Sequence, residues 1–355
     1  MCFNKLKRKT VAVAMSGGVD SSVAAALLLQ KGYRVIGVHM EIDPYAHIET
    51  PAVKNITERL GIPFTRLSLV SAFKKEVIDY FAKEYLCGHT PNPCIVCNER
   101  IKFGLLLHRM REIGADFLAT GHYAKITKGQ HRYLLLKAED TSRDQSYFLY
   151  RLNQEQLSSV LFPLGDIKKD KVRAIAQDMG LTGALKPESR EICFIPHSDY
   201  KAFLTEQVGP HILKTGDIID TKGNIIGRHS GIYGFTIGQR RGLKIPSTAP
   251  YYVRAFDVKY NRVIVGRRED LYTKGLIAKD VNWIAISRLD GELKVKTKIR
   301  YKHKEADSVI TREDDNRVRV IFKEPQKAVT PGQAAVFYQG PKVIGGGWIE
   351  SGLEN

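Results

Sequence analysis

Apolar positions in the first half of the chain fall into short β-branched runs separated by stretches of helix length. Residues 11–14 (Val-Ala-Val-Ala) form one such run, leading into Ser16-Gly17-Gly18. Over 21–31, Val23, Leu27 and Leu28 recur among alanines and Gly32 follows as a C-terminal cap, which predicts a helix. Residues 34–40 and 63–67 predict further strands, the second after a short helix ending near Leu60-Gly61. A fourth is predicted at 116–120, after a helix around 105–111. Strands alternating with helices in this way build βαβ units around a parallel sheet.

From about Gly209 the helical periods vanish. Short β-rich runs stand between Gly, Asn and Asp turns at 217–220, 225–226, 251–256 and 262–265, and again at 293–301, 318–322 and 334–338. Many short strands at even spacing predict small barrels or sandwiches. The texture places domain boundaries near 205 and near 275. A length of 355 residues agrees with two or three domains.

Composition narrows the class. With 43% hydrophobic and 26% charged residues the chain is a packed globular protein, not a disordered one. No apolar run approaches the roughly 18 residues of a membrane helix, and no apolar segment follows the basic N-terminus as in a signal peptide. The expectation is a cytoplasmic protein without a membrane partner. There are 55 Lys+Arg against 38 Asp+Glu, a net charge of +17. Residues 1–205 carry +8 and residues 206–355 carry +9, so the excess is spread along the chain. That distribution suits several domains facing one polyanion; general basicity for solubility is the plainer alternative.

The stretch Ala14-Met15-Ser16-Gly17-Gly18-Val19-Asp20-Ser21-Ser22 lies between a strand and a helix start. Two glycines let the backbone turn tightly and aim N–H groups at an anion. Hydroxyls and the helix N-terminus add to the cradle. It has neither the Gly-Lys-Ser/Thr ending of a Walker loop nor a G-x-G-x-x-G.

Five cysteines, Cys2, Cys87, Cys94, Cys97 and Cys193, make a disulfide framework improbable in such a chain. Cys94 and Cys97 sit in a Pro-punctuated loop that opens a helix, where the helix dipole favours a thiolate. Cys193 follows Arg190-Glu191-Ile192, and Arg190 could stabilise a thiolate or persulfide there. Two remote reactive cysteines suit a sulfur relay. A zinc site on Cys94-x-x-Cys97, or an iron–sulfur cluster on Cys94, Cys97 and Cys193, stays open. Cys87 reads as a small core residue and Cys2 as an inert terminal thiol.

The Ser-Gly-Gly-x-Asp-Ser loop resembles the PP-loop of N-type ATP pyrophosphatases. Other motifs follow in order: Asn92-Pro93-x-x-x-Cys97-Asn98, Ala119-Thr120-Gly121-His122-Tyr123, Asp144-Gln145-Ser146-Tyr147-Phe148-Leu149 and Arg190-Glu191-Ile192-Cys193-Phe194-Ile195. Gly238-Gln239-Arg240-Arg241-Gly242-Leu243 and Pro331-Gly332-Gln333-Ala334-Ala335-Val336 complete the set. Together they resemble the bacterial tRNA-uridine 2-thiouridylase family nearly end to end.

The resemblance implies an α/β PP-loop catalytic domain over 1–205 with a parallel sheet, a central β-rich domain over 206–275, and a C-terminal β-barrel over 276–355 that contacts tRNA. It implies ATP-dependent 2-thiolation of the wobble uridine of tRNA, with Mg²⁺ accompanying ATP, a persulfide-bearing sulfur-donor protein as partner, and no permanently bound metal. Ala14, Met15, Ser16, Gly17, Gly18, Val19, Asp20, Ser21, Met40 and Gly121 match ATP-binding positions, with Asp20 near the phosphates and their Mg²⁺. Cys193 matches the persulfide carrier and Cys97 the second cysteine of the relay. Asn92, Pro93 and Cys94 match the target-base loop. His122, Arg143, Asp144, Gln145, Arg300, Tyr301 and Gln333 match tRNA contacts. In departure from the family pattern, Cys94 stands where some relatives carry Asp, Arg143 replaces a Lys, and the stretch 41–53 is short. The rival readings are another PP-loop adenylating enzyme (an amidating ligase or an iron–sulfur tRNA thiolase) and a non-catalytic RNA-binding protein.

Overall fold

The computed structural model describes residues 8–42, 50–181, 192–195 and 199–353. The chain divides into two compact units: residues 1–77, 94–190 and 340–343, and residues 78–93, 191–339 and 344–355.

The first unit is built on a parallel sheet. Its elements run β1 (Thr10–Ala14), α1 (Val19–Gln30), β2 (Arg34–Glu41), α2 (Thr50–Leu60), β3 (Phe64–Ser68) and β4 (Phe117–Ala119). A hairpin of β5 (Lys125–Lys128) and β6 (Tyr133–Leu136) precedes β7 (Val160–Leu161) and α3 (Lys169–Asp178). The strand order is β3-β2-β1-β4-β7, every pair parallel. Central β1 is apolar from Val11 to Ala14 because it is covered on both faces: Val11, Ala12 and Val13 are fully buried. The helix α1 is alanine-rich for the same reason. Val19, residues 21–26 and Leu28 are all buried, so small side chains let it lie close to the sheet. The strand order reverses between β1 and β4, and in open parallel sheets that crevice, beyond the strands' C-terminal ends, is where ligands bind.

A helical run of the same unit departs from the sequence reading. It opens at Pro93–Val96, continues through Cys97–Leu106 and ends in Leu107–Glu112, but the middle section is a π-helix. The Leu107 N–H reaches the Lys102 carbonyl in the i→i+5 register.

The second unit holds three cores. A four-stranded sheet, β10 (Tyr252–Asp257), β11 (Arg262–Gly266), β8 (Gly216–Ile219) and β9 (Ile225–His229) in that order, packs Ile218, Val253, Val263 and Val265 against Phe235 and Leu243. A barrel follows from β12 (Tyr272–Trp283), β13 (Leu293–Lys298), β14 (Ala306–Arg312), β15 (Arg317–Lys327), β16 (Ala334–Gln339) and β17 (Lys342–Gly352). Pairing of β12 with β17 closes it. Helices Asp79–Leu86 and Tyr200–Val208 form the third core, in which Phe81, Tyr85, Phe203 and Leu204 meet Ile195 and Tyr233.

The fold class expected from the sequence is present: a parallel α/β sheet followed by β-rich modules. Strands β5, β6, β7, β12, β14 and β17 were not predicted, and the run expected to extend to 301 stops at Lys298, leaving Arg300 and Tyr301 in a turn. Residue 275 lies inside β12, where a bulge shifts the pairing between Thr273 and Gly275.

Candidate active site

The phosphate loop leaves β1 with Met15 tied on both sides. Its N–H donates to the Val38 carbonyl at 2.7 Å, and its carbonyl lies 2.9 Å from His39 Nδ1. Gly17 takes φ +80, a conformation that favours glycine, and Gly18 forms the N-cap of α1 with no side chain capping it. The Ser21 and Ser22 hydroxyls donate back to the Gly18 carbonyl at 3.0 and 2.9 Å, tightening the turn. Ser21 Oγ also accepts the Ser16 N–H at 3.3 Å. With no side-chain cap, the first turn of α1 offers its backbone donors to an anion. Met40, half-buried, is the last residue but one of the neighbouring strand β2.

Gly121 follows β4 across the crevice. A methyl group there would sit 2.8 Å from the Asp20 carbonyl carbon and 2.9 Å from the Ser21 nitrogen. The loop after β4 is therefore pressed against the first turn of α1, which places Gly121 beside the phosphate loop.

Asp20 is engaged more heavily than the sequence suggests. Lys169 Nζ donates to both carboxylate oxygens, at 2.8 and 2.9 Å, and the Tyr123 hydroxyl donates to Oδ1 at 2.8 Å. The sequence reading missed both partners. Tyr123 stood in a quoted motif without a role; Lys169 lies in the run Lys168-Lys169-Asp170-Lys171, where nothing sets it apart. The hard oxygens of Asp20 beside an anion cradle fit Mg²⁺ as a companion of phosphate.

His122 is wedged between Phe103 and Phe162, with ring centroids 5.8 Å from each, and its Nδ1 lies 2.7 Å from the Thr120 hydroxyl. Burial, with the Lys102 ammonium nearby, pushes its imidazole well below the usual histidine range. It is therefore neutral at physiological pH. Asp144 and Gln145, matched to tRNA contacts, do structural work in this unit. Asp144 is buried, and accepts from the Ala138 and Ser146 N–H groups and the Ser146 hydroxyl. Gln145 exchanges two bonds with Tyr123, N–H to carbonyl at 2.8 Å and Tyr123 N–H to Oε1 at 2.9 Å. These residues fix the loop that carries Gly121 and His122. Arg143, beside them, is half-buried.

Cys97 begins the π-helical section and is buried, whereas Cys94, in the first turn of the run, is exposed. The dipole effect fades beyond the first turn, so the electrostatic support expected for this loop falls on Cys94 more than on Cys97. Lys102 Nζ donates to Asn98 Oδ1 at 3.1 Å, and Asn98 Nδ2 to the Phe148 carbonyl at 3.1 Å. The pair Arg151–Glu99, at 2.8 Å, braces the same helix.

In the second unit, Cys193 is exposed in a tight turn closed by the Ile195 N–H on the Ile192 carbonyl at 3.1 Å. Ile192, Phe194 and Ile195 pack into the helical core, Phe194 edge-on to Phe81 at 5.5 Å, so the anchors point in and the thiol stands out. Arg190 lies outside the described residues, as do Cys2 and 43–49 of the short stretch 41–53.

Gln333, another tRNA match, holds chain rather than facing outward. Its Nε2 donates to the Thr90 carbonyl at 2.9 Å and more distantly to that of Pro91, while the Thr90 N–H reaches the Pro331 carbonyl at 2.9 Å. The turn thereby grips the segment leading into half-buried Asn92, buried Pro93 and Cys94. Gln333→Ala should lower stability by about 1 kcal/mol, read as a fall in thermal midpoint; an unchanged midpoint with weakened tRNA binding would assign Gln333 to direct contact instead. Arg300 Nη1 donates to the Lys327 and Ala328 carbonyls at 3.2 and 3.4 Å, and Lys298 lies over the Tyr301 ring at 5.5 Å. Burial, with Arg300 and Lys298 close by, pushes neighbouring His303 down to about 4.

The fold is that of a three-part protein, a parallel α/β unit with a phosphate loop in one chain with a small β-sheet module and a closed β-barrel. Residues 9–197 match the family described as tRNA methyl transferase HUP domain, 201–267 its PRC-barrel domain, and 273–349 the aminomethyltransferase beta-barrel domain. The chain is 47% identical over 360 residues to "tRNA-specific 2-thiouridylase MnmA" of Acetivibrio thermocellus, covering 97% of this chain and 100% of that one. It is 46% identical to the protein of the same name from Clostridioides difficile, covering 97% and 99%. The chain belongs to the tRNA-specific 2-thiouridylase family.

Proposed function

We propose that this protein makes 2-thiouridine at the wobble position of tRNA, using ATP and a persulfide. The observation that carries the reading is the end-to-end match to proteins named tRNA-specific 2-thiouridylase by a chain that has an uncapped phosphate loop and two remote cysteines.

The chemistry runs in three steps. The uridine C2 oxygen attacks the α-phosphorus of ATP, forming an adenylate and releasing pyrophosphate. Asp20 would hold Mg²⁺, which would neutralise charge on the phosphates when it arrives with ATP. The terminal sulfur of a Cys193 persulfide, loaded by a sulfur-donor protein, then attacks C2 and AMP leaves, with the base joined to Cys193 through two sulfurs; in the alternative order Cys97 attacks Cys193 first and frees the terminal sulfur as hydrosulfide, which attacks C2. In the first order the Cys97 thiolate then takes the Cys193 sulfur, forming a disulfide and leaving the terminal sulfur on the base; an external thiol reductant restores both cysteines. The base must leave its stack, at a cost of a few kcal/mol that is smaller in an anticodon loop than in a duplex. Neutral His122 and the ring of Tyr301 suit contact with unstacked bases, and Arg143 and Arg300 suit phosphate.

The net charge of +17 supplies the electrostatic term. For ~6 phosphate contacts the slope of log K for tRNA against log salt should lie near about −5. A slope near zero would contradict a polyanionic partner.

A further inference from the structure

We propose that Lys169 is a phosphate-binding residue of the nucleotide site, its ammonium passing from Asp20 to the β and γ phosphates of ATP and then to the departing pyrophosphate. The inference rests on the reading of the phosphate loop given above.

Within the run Lys168-Lys169-Asp170-Lys171 the other three side chains are exposed, and Lys169 alone turns inward, its side chain 7% exposed. It opens α3, where its N–H is capped by Asp140 Oδ2 at 3.0 Å, and its ammonium ends on the second residue of α1. A cation among the first turns of two helices is opposed by both dipoles, so helix stability does not account for its burial. An anion is what both termini favour, and a compact ammonium is a natural phosphate ligand. Asp20, whose side chain is 32% exposed, and the Tyr123 ring, 5.9 Å from Nζ, complete the surroundings of the ammonium. Mg²⁺ arriving with ATP would draw the carboxylate away and leave the ammonium to the phosphates, so that one contact serves binding and the leaving group in turn. A bond made to the leaving pyrophosphate lowers the cost of its departure as charge accumulates there.

The test is calorimetric titration of the full chain with inorganic pyrophosphate, without metal. Lys169→Met should weaken binding about tenfold or more, and Lys169→Arg should restore most of it. Asp20→Asn should bind as well as the unsubstituted protein or better, because a competing anion is gone. The double variant Asp20→Asn/Lys169→Met removes both charges, so its fold is not burdened by a lone buried ion; it should bind as poorly as Lys169→Met. If it binds like Asp20→Asn, Lys169 serves only to neutralise Asp20 and the proposal is wrong. Binding of neither pyrophosphate nor ATP by the unsubstituted protein would overturn the nucleotide reading itself.

Discussion

Cys193→Ser should abolish thiolation with any protein-bound sulfur donor. The thiol stands exposed on a turn whose flanking residues are packed inward, so serine changes the chemistry and leaves the anchors intact. A hydroxyl carries no persulfide, and the rate should fall to background. Cys97→Ser should also inactivate, at a later step: the persulfide should still form on Cys193 and be visible by protein mass, because only the disulfide-forming attack is missing. Cys94→Ser should keep substantial activity, since the two-cysteine relay gives Cys94 no step to perform. Equal loss in all three variants, with iron bound to the purified protein, would replace the relay by a cluster.

Gly121→Ala should damage the nucleotide site directly, although it adds only one methyl. The added carbon would meet the backbone of Asp20 and Ser21, not the far end of a flexible side chain, so relief requires moving either the first turn of α1 or the loop after β4. Overpacking of this kind costs about 1–3 kcal/mol. The displaced turn is also the phosphate cradle, so ATP affinity should fall further than the thermal midpoint implies. Titration with ATP beside a melting curve separates the two effects. Wild-type affinity with a normal midpoint would show that the crevice yields where the packing says it should not.

The nucleotide end of the molecule was legible in the sequence because its signals are local. An apolar run, two glycines and an alanine-rich stretch report β1, the loop and α1 without help from distant residues. The ion pair of Asp20 with Lys169 was not legible, since 149 positions separate the partners and lysine runs on a basic chain are usually solvated. The π-helix was missed for a different reason: its register is a backbone choice that leaves no hydrophobic period of its own. In the barrel, β17 was hidden by Gly345-Gly346-Gly347, which reads as a turn. A methyl at Gly345 would lie 2.4 Å from the Asn282 carbonyl oxygen and one at Gly347 2.7 Å from that of Lys279, so the glycines admit close approach of β12 rather than ending a strand. Asp144, Gln145 and Gln333, matched to tRNA contacts, also make hydrogen bonds to neighbouring chain, a structural role that their motifs did not announce.

The reaction is tested most directly by incubating the protein with unmodified tRNA, ATP, Mg²⁺ and a persulfide donor, digesting the tRNA to nucleosides and analysing them by mass. 2-Thiouridine should appear at the wobble position, with AMP and pyrophosphate formed alongside, and none of the three when tRNA is omitted. ATP turnover that proceeds without tRNA, or tRNA recovered with its wobble uridine unchanged, would contradict the proposed reaction.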